Sequence, residues 1–346
     1  MSTTDSVNID ISQKDVPEKQ KKEKRSFKRK ILRVLLWIFI ILIALILLFT
    51  GYTLICNSVD KKKIKNYSEK YSKKVEINGH QMSYSIVGEK NNQTIAILPG
   101  MGCPSPIIEF KPLAEALSDK FKVITIEPFG YGFSDDVVDT NRDFSTMISE
   151  IREGVKKIGI NNYYIMGHSM GGAFSLKWSN QYSDEVLGVI ALDSSVSGTE
   201  KDISKEELVG SYIPFKKMNS IGLGRLIIKF GQAPYSMDTT YPYTDEEIDV
   251  EELLLINHAF TKGQWDDIET FLDRLASLEG VKFPDRIPTL TFLSKDNVKQ
   301  NTKWEGLHHE ILGNNTRNEI LVLDGSHYIH YDQKNSIVNK IKEWIQ

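Results

Sequence analysis

The chain has 346 residues, 40% of them hydrophobic and 26% charged, with only two cysteines; this excludes collagen-like, broadly disordered and disulfide-scaffold proteins and any cysteine-built zinc site. Its 43 Lys+Arg nearly balance its 46 Asp+Glu, so the whole chain offers no electrostatic reason to expect a nucleic-acid partner. That balance is a cancellation, because residues 1–74 carry 17 basic and 7 acidic side chains while the remainder carries 26 and 39.

Residues 1–33 read as a basic segment preceding an uncharged run, VLLWIFIILIALILLFTGYTLIC, over 34–56. That run is long enough to cross the roughly 30 Å hydrocarbon layer as a transmembrane helix. Positive charge is denser before the run than after it, which predicts a cytoplasmic N-terminus and an extracellular remainder on a single-pass cell-membrane protein. No small-residue cleavage site follows, so a retained anchor is expected rather than a removed signal peptide. Ile55 before Cys56 is not the small residue that lipidation of that cysteine requires. Residues 57–74 are expected to form a solvated basic linker that touches anionic headgroups.

From residue 75 to 346 short apolar runs alternate with helical stretches, the pattern of one α/β domain with a mostly parallel sheet flanked by helices. Residues 75–88 predict a hairpin turning at Asn78-Gly79. Further strands are expected at 94–100, 122–128, 163–169, 186–193, 289–296 and 319–327. Ligands of such sheets gather at the carboxyl ends of the strands.

One such end carries Gly167-His168-Ser169-Met170-Gly171-Gly172 between an apolar run and a helical stretch. A G-x-S-x-G turn between strand and helix holds its serine in a strained backbone conformation with the hydroxyl exposed, which marks Ser169 as a candidate nucleophile. A serine hydroxyl needs a base to take its proton. His327 follows the last strand on the same sheet edge and is the expected base, with His330 the less favoured alternative. A metal site built from His327, His330 and Asp332 is not expected, because no zinc-binding pattern surrounds them. For the carboxylate that orients the histidine, Asp296 at the end of 289–296 is expected, with Asp193 as competitor. The N–H groups of Met101, in the glycine-rich LPGMG loop, and Met170 are the expected oxyanion donors. Cys103 is expected to line the pocket.

These motifs, LPGMG, EPFGYGFSD, GHSMGG and DGSHYIHYD, resemble those of the α/β-hydrolase fold, in its cofactor-free branch of carboxylesterases, monoacylglycerol-type lipases and perhydrolases. The resemblance runs from about residue 75 to 346. It departs at Pro99, Glu127 and Ser294, where the family often has His, Asp and Gly. The resemblance implies that epoxide hydrolases and dehalogenases of this fold attack through a carboxylate, which a serine at 169 argues against. It also implies that the stretch from about 197 to 287, too long for a loop, is a helical cap. Tyr212, Phe215, Tyr235, Tyr241 and Tyr243 are candidates to line an apolar acyl pocket there.

The expectation is a membrane-anchored serine hydrolase that cleaves a carboxylic ester of a small-molecule or lipid-like substrate through Ser169, His327 and Asp296, with no cofactor or metal. A peptidase or amidase with the same triad, and a non-catalytic surface receptor, are the alternatives.

Overall fold

The computed structural model describes residues 18–137, 139, 142–231 and 237–345. The chain divides into two compact units, Met1–Cys56 and Asn57–Gln346. Helix α1 (Glu18–Tyr71) supplies all the described residues of the first. Its apolar side chains, among them Leu36, Phe39, Leu47 and Leu54, are exposed. Among the described residues it alone is long and apolar enough to cross a membrane, a test that a signal sequence near the N-terminus also passes.

In the second unit the strands are β1 (Lys73–Ile77), β2 (His80–Val87), β3 (Thr94–Leu98), β4 (Lys122–Glu127), β5 (Tyr163–His168), β6 (Val186–Leu192), β7 (Thr289–Ser294) and β8 (Glu319–Leu323). The described residues form one sheet in the order β1-β2-β4-β3-β5-β6-β7-β8. β1 and β2 form the expected hairpin, with Asn78 and Gly79 both at positive φ, 52° and 83°, as a type I′ turn requires. β2 pairs antiparallel with β4, and every pairing from β4 to β8 is parallel.

Helices fill both faces. After β3 come α2 (Pro106–Glu109) and α3 (Lys111–Leu117); α4 (Phe144–Lys157) precedes β5 and α5 (Met170–Gln181) follows it. Successive strand residues point to opposite faces. Ala96, Leu98 and Ile165 thus join Ile148, Ile151 and Trp178 in one core cluster. Ile95, Ile97 and Met166 join Leu113, Ile337 and Ile341 in the other.

Between β6 and β7 lies a helical insertion of α6 (Lys205–Ser220), α7 (Leu223–Lys229), α8 (Asp245–His258) and α9 (Lys262–Ala276). Ser204 and Thr244 each close a capping box at the start of α6 and α8. After β7 come α10 (Lys295–Gln300) and α11 (Trp304–Glu310), and after β8 α12 (Ile329–Asp332) and α13 (Lys334–Trp344).

Residues 57–71, expected as a solvated tether, continue α1 and pack on the insertion. Ile64 is buried in a cluster with Val250, Leu253 and Leu254 of α8, which Tyr67 and Tyr71 border. The spacing 64, 67, 71 puts these side chains on one helix face. Their hydroxyls donate to Asp249 (2.9 Å) and Glu246 (2.6 Å). The lysines that suggested a tether at 61–65 and 70 are exposed, and two of them pair with α8, Lys63 with Asp249 at 3.0 Å and Lys70 with Glu246 at 2.5 Å.

Candidate active site

Ser169 is the turn residue between β5 and α5, held at φ 51° and ψ −119°. Three hydrogen bonds lock this backbone: its N–H donates to the Leu192 carbonyl (3.2 Å), and its own carbonyl accepts from Gly172 and Ser195, both at 2.9 Å. The surrounding glycines are required by space. A Cβ on Gly167 would stand 2.2 Å from the Gly171 carbonyl oxygen, and one on Gly171 would stand 2.5 Å from that of Leu98.

The parallel register of β3 against β5, with Leu98 opposite Gly167, brings the LPGMG loop beside this turn. A Cβ on Gly100 would lie 3.2 Å from that of Ser169, so loop backbone and serine are in direct apposition. Met101 follows in that loop. Met170 is the first residue of α5, where helix geometry leaves the N–H without an intrahelical acceptor.

His327 lies on the loop after β8, and its carbonyl accepts from His168 Nε2 at 3.0 Å, which ties that loop to the elbow. The rings of His168 and His327 are 4.7 Å apart. His327 Nδ1 is 2.7 Å from Asp193 Oδ2, and this side chain is 36% exposed while the carboxylate is fully buried.

The carboxylate at His327 is therefore Asp193, at the end of β6, and the expectation of Asp296 is corrected. Asp296 is the second residue of α10, its side chain 52% exposed and 3.8 Å from Lys299. Asp193 accepts the backbone N–H of Ser294 (2.9 Å), Trp304 Nε1 (3.0 Å) and Asn297 Nδ2 (2.5 Å) besides the imidazole. Four donors satisfy both oxygens, which fixes the buried side chain in one orientation aimed at the ring. Ser294, where relatives often have Gly, caps α10 by accepting from Asn297 N–H at 3.0 Å and so sets Asn297 in place.

Behind the elbow a second set of polar side chains converges. Glu109, His168 and His330 are buried, with one ligand atom from each within 4.8 Å of the others. His330 Nε2 is 3.5 Å and His168 Nδ1 4.0 Å from Glu109 Oε1. Burial pushes the Glu109 carboxyl up and both imidazoles down, His330 to about 3. His330, stacked on Phe110 at 4.8 Å, is thus an interior neighbour of the elbow. Burial also raises the Cys103 thiol, with Glu109 beside it.

Glu127, the last residue of β4, accepts from Phe133 N–H at 2.6 Å and from Ser105 and Ile107 at 3.4 Å, and burial lifts it to about 7.

A cavity of about 240 Å³ lies among the insertion helices, its wall almost entirely apolar and including Tyr212, Phe215, Met218, Ile228 and Phe260. Gly102, next to Met101, forms part of it. Tyr241 and Tyr243 instead pack on each other at 4.7 Å. Tyr235 lies outside the described residues.

A strand-turn-helix serine, a histidine after the last strand and a buried aspartate on one sheet edge are the parts of a hydrolase site. A family model described as "alpha/beta hydrolase fold" matches residues 94–249. The chain has the α/β-hydrolase fold. It is 23% identical to uncharacterized protein YbdG of Bacillus subtilis (strain 168), across 79% of this chain and 83% of that one. It is 24% identical to proline iminopeptidase of Saccharolobus solfataricus, across 81% and 93%. The solved epoxide hydrolase VrEH1 from Vigna radiata superposes with a TM-score of 0.60 at 15% identity, covering 79% of this chain and 97% of that one.

Proposed function

We propose that this hydrolase is a membrane-anchored serine esterase acting on carboxylic esters with an apolar acyl group. The observation that carries the proposal is the 2.7 Å contact between His327 and the buried Asp193 beside the strained Ser169 turn.

In this reading Ser169 Oγ attacks the ester carbonyl as His327 Nε2 takes its proton. Asp193 fixes the proton on Nδ1 and stabilises the imidazolium. The N–H groups of Met101 and Met170 receive the oxyanion. His327 returns its proton to the leaving alcohol, and a water activated by the same nitrogen then releases the acid and regenerates Ser169. The apolar cavity behind Gly102 suits an acyl chain. The uncharged run at 34–56, denser in positive charge on its N-terminal side, supports a single-pass anchor with the catalytic unit outside the cell.

The similarity to a proline iminopeptidase over 81% of the chain favours amide hydrolysis as the second reading. Aryl esters of graded acyl length assayed beside aminoacyl amides, with Ser169→Ala as blank, test the choice. Ester kcat/KM rising with acyl length is expected, and faster turnover of aminoacyl amides overturns the ester assignment.

A further inference from the structure

The α6–α7 stretch of the insertion carries exposed apolar side chains. Phe230, which caps α7, is 82% exposed; Ile221, between α6 and α7, is 60% and Phe215 of α6 is 51%. Several large apolar side chains exposed along one helix pair mark a surface that something covers.

What covers it follows from where the chain enters this unit. Asn57 is the residue after Cys56, the end of the uncharged run, and its side chain accepts from Arg225 of α7 at 2.7 Å. Asp60, one turn on, pairs with the same guanidinium at 2.6 Å, both side chains under 10% exposed. A buried ion pair thus ties α7 to the first turn beyond the run. Phe230 follows α7 five residues after Arg225, so at ~1.5 Å per helical residue its backbone is about 8 Å along the α7 axis from that tie, and Ile221 precedes the helix four residues to the other side. The headgroup zone is itself roughly 5–7 Å deep on each side of the hydrocarbon. Lys61, Lys62 and Lys65 of the same entering segment are exposed, which suits anionic headgroups. Helices α6 and α7 also wall the apolar cavity, and Phe215 belongs to both surfaces.

We propose that the α6–α7 end of the insertion is a bilayer-contacting surface seated among headgroups and upper acyl chains, and that the cavity behind it receives the acyl chain of a lipid-borne ester from that leaflet. The proposal rests on residues 34–56 being a retained anchor. It narrows the substrate class to esters already dissolved in the membrane.

The test uses the full chain with Trp37→Phe, which removes the tryptophan of the run, carrying in turn Phe230→Trp, Ile221→Trp or, as control, Val322→Trp on the outer strand β8. Each is reconstituted in phosphatidylcholine–phosphatidylglycerol vesicles with plain or brominated acyl chains. Bromine quenches an indole that reaches the acyl region. The added emission at 230 and 221 should fall by about half or more in brominated vesicles, while that at 322 persists. Protein that floats with the vesicles yet is quenched no more at 230 and 221 than at 322 overturns the proposal and leaves the anchor intact. Protein that stays soluble overturns the anchor and the proposal with it. Since quenching needs no turnover, repeating it with Ser169→Ala separates both results from any failure of the esterase reading.

Discussion

His327 takes its carboxylate from Asp193, one strand after the serine, rather than from Asp296, two strands after it. The arrangement predicts opposite fates for two conservative changes. Asp193→Asn should lower kcat on an acyl ester by about 10⁴-fold, because an amide at that position no longer holds the proton on Nδ1. Asp296→Asn, altering an exposed side chain, should leave kcat within about twofold of wild type. Purified variants assayed side by side decide it, and the reverse pattern would return the role to Asp296.

Gly171 permits the elbow to approach β3. Gly171→Ala would press a methyl onto the Leu98 carbonyl, 2.5 Å away with nothing flexible between. A loss of roughly 1–3 kcal/mol in unfolding free energy is expected from such overpacking, read by urea denaturation. Gly210→Ala, where a Cβ meets nothing within 4 Å, serves as the comparison and should not destabilise.

Ile227 lines the apolar cavity from α7. Ile227→Trp should fill part of it and exclude the distal methylenes of a long acyl chain, each worth about 0.8 kcal/mol when buried. The expected outcome is a fall of about tenfold in kcat/KM for a decanoyl ester with acetyl ester turnover unchanged. Equal loss on both esters would detach the cavity from substrate binding.

His330 makes a pH prediction. Its imidazole is held down to about 3 by burial, whereas in the unfolded chain it takes a proton near pH 6.5. Between those values the unfolded state binds more protons, so the stability this residue contributes is complete above pH 6.5 and is lost as pH falls toward 3. Replacing it by Phe, which keeps the stack on Phe110, removes that dependence. From pH 7 to 4, wild-type stability should fall relative to His330→Phe by up to about 1.4 kcal/mol per pH unit below 6.5. A constant offset between the two denaturation curves would refute it.

The elbow, the hairpin turn and the terminal histidine were legible because each depends on a local pattern: glycines around a serine, Asn-Gly between strands, a polar loop after an apolar run. Asp193 was legible only as a competitor. Both Asp193 and Asp296 lie between Ser169 and His327 in the chain, so chain order gave no discrimination. What selects Asp193 is the set of donors from Ser294, Asn297 and Trp304, more than 100 residues on, which no spacing reveals. The packing of residues 57–71 was hidden by composition, since a lysine-rich stretch reads as solvated although Ile64, Tyr67 and Tyr71 share a face. Glu109 and His330 meet His168 only through the fold, with Glu109 on α2 and His330 on α12.

In the proposed mechanism Ser169 is a nucleophile activated through His327. Incubating the purified chain with a fluorophosphonate probe and mapping the adduct by peptide mass spectrometry tests it most directly. One phosphonylated residue, Ser169, is expected, with labelling abolished in Ser169→Ala and slowed by orders of magnitude in His327→Ala. Labelling of wild type and Ser169→Ala at the same rate, or none in either, would contradict it.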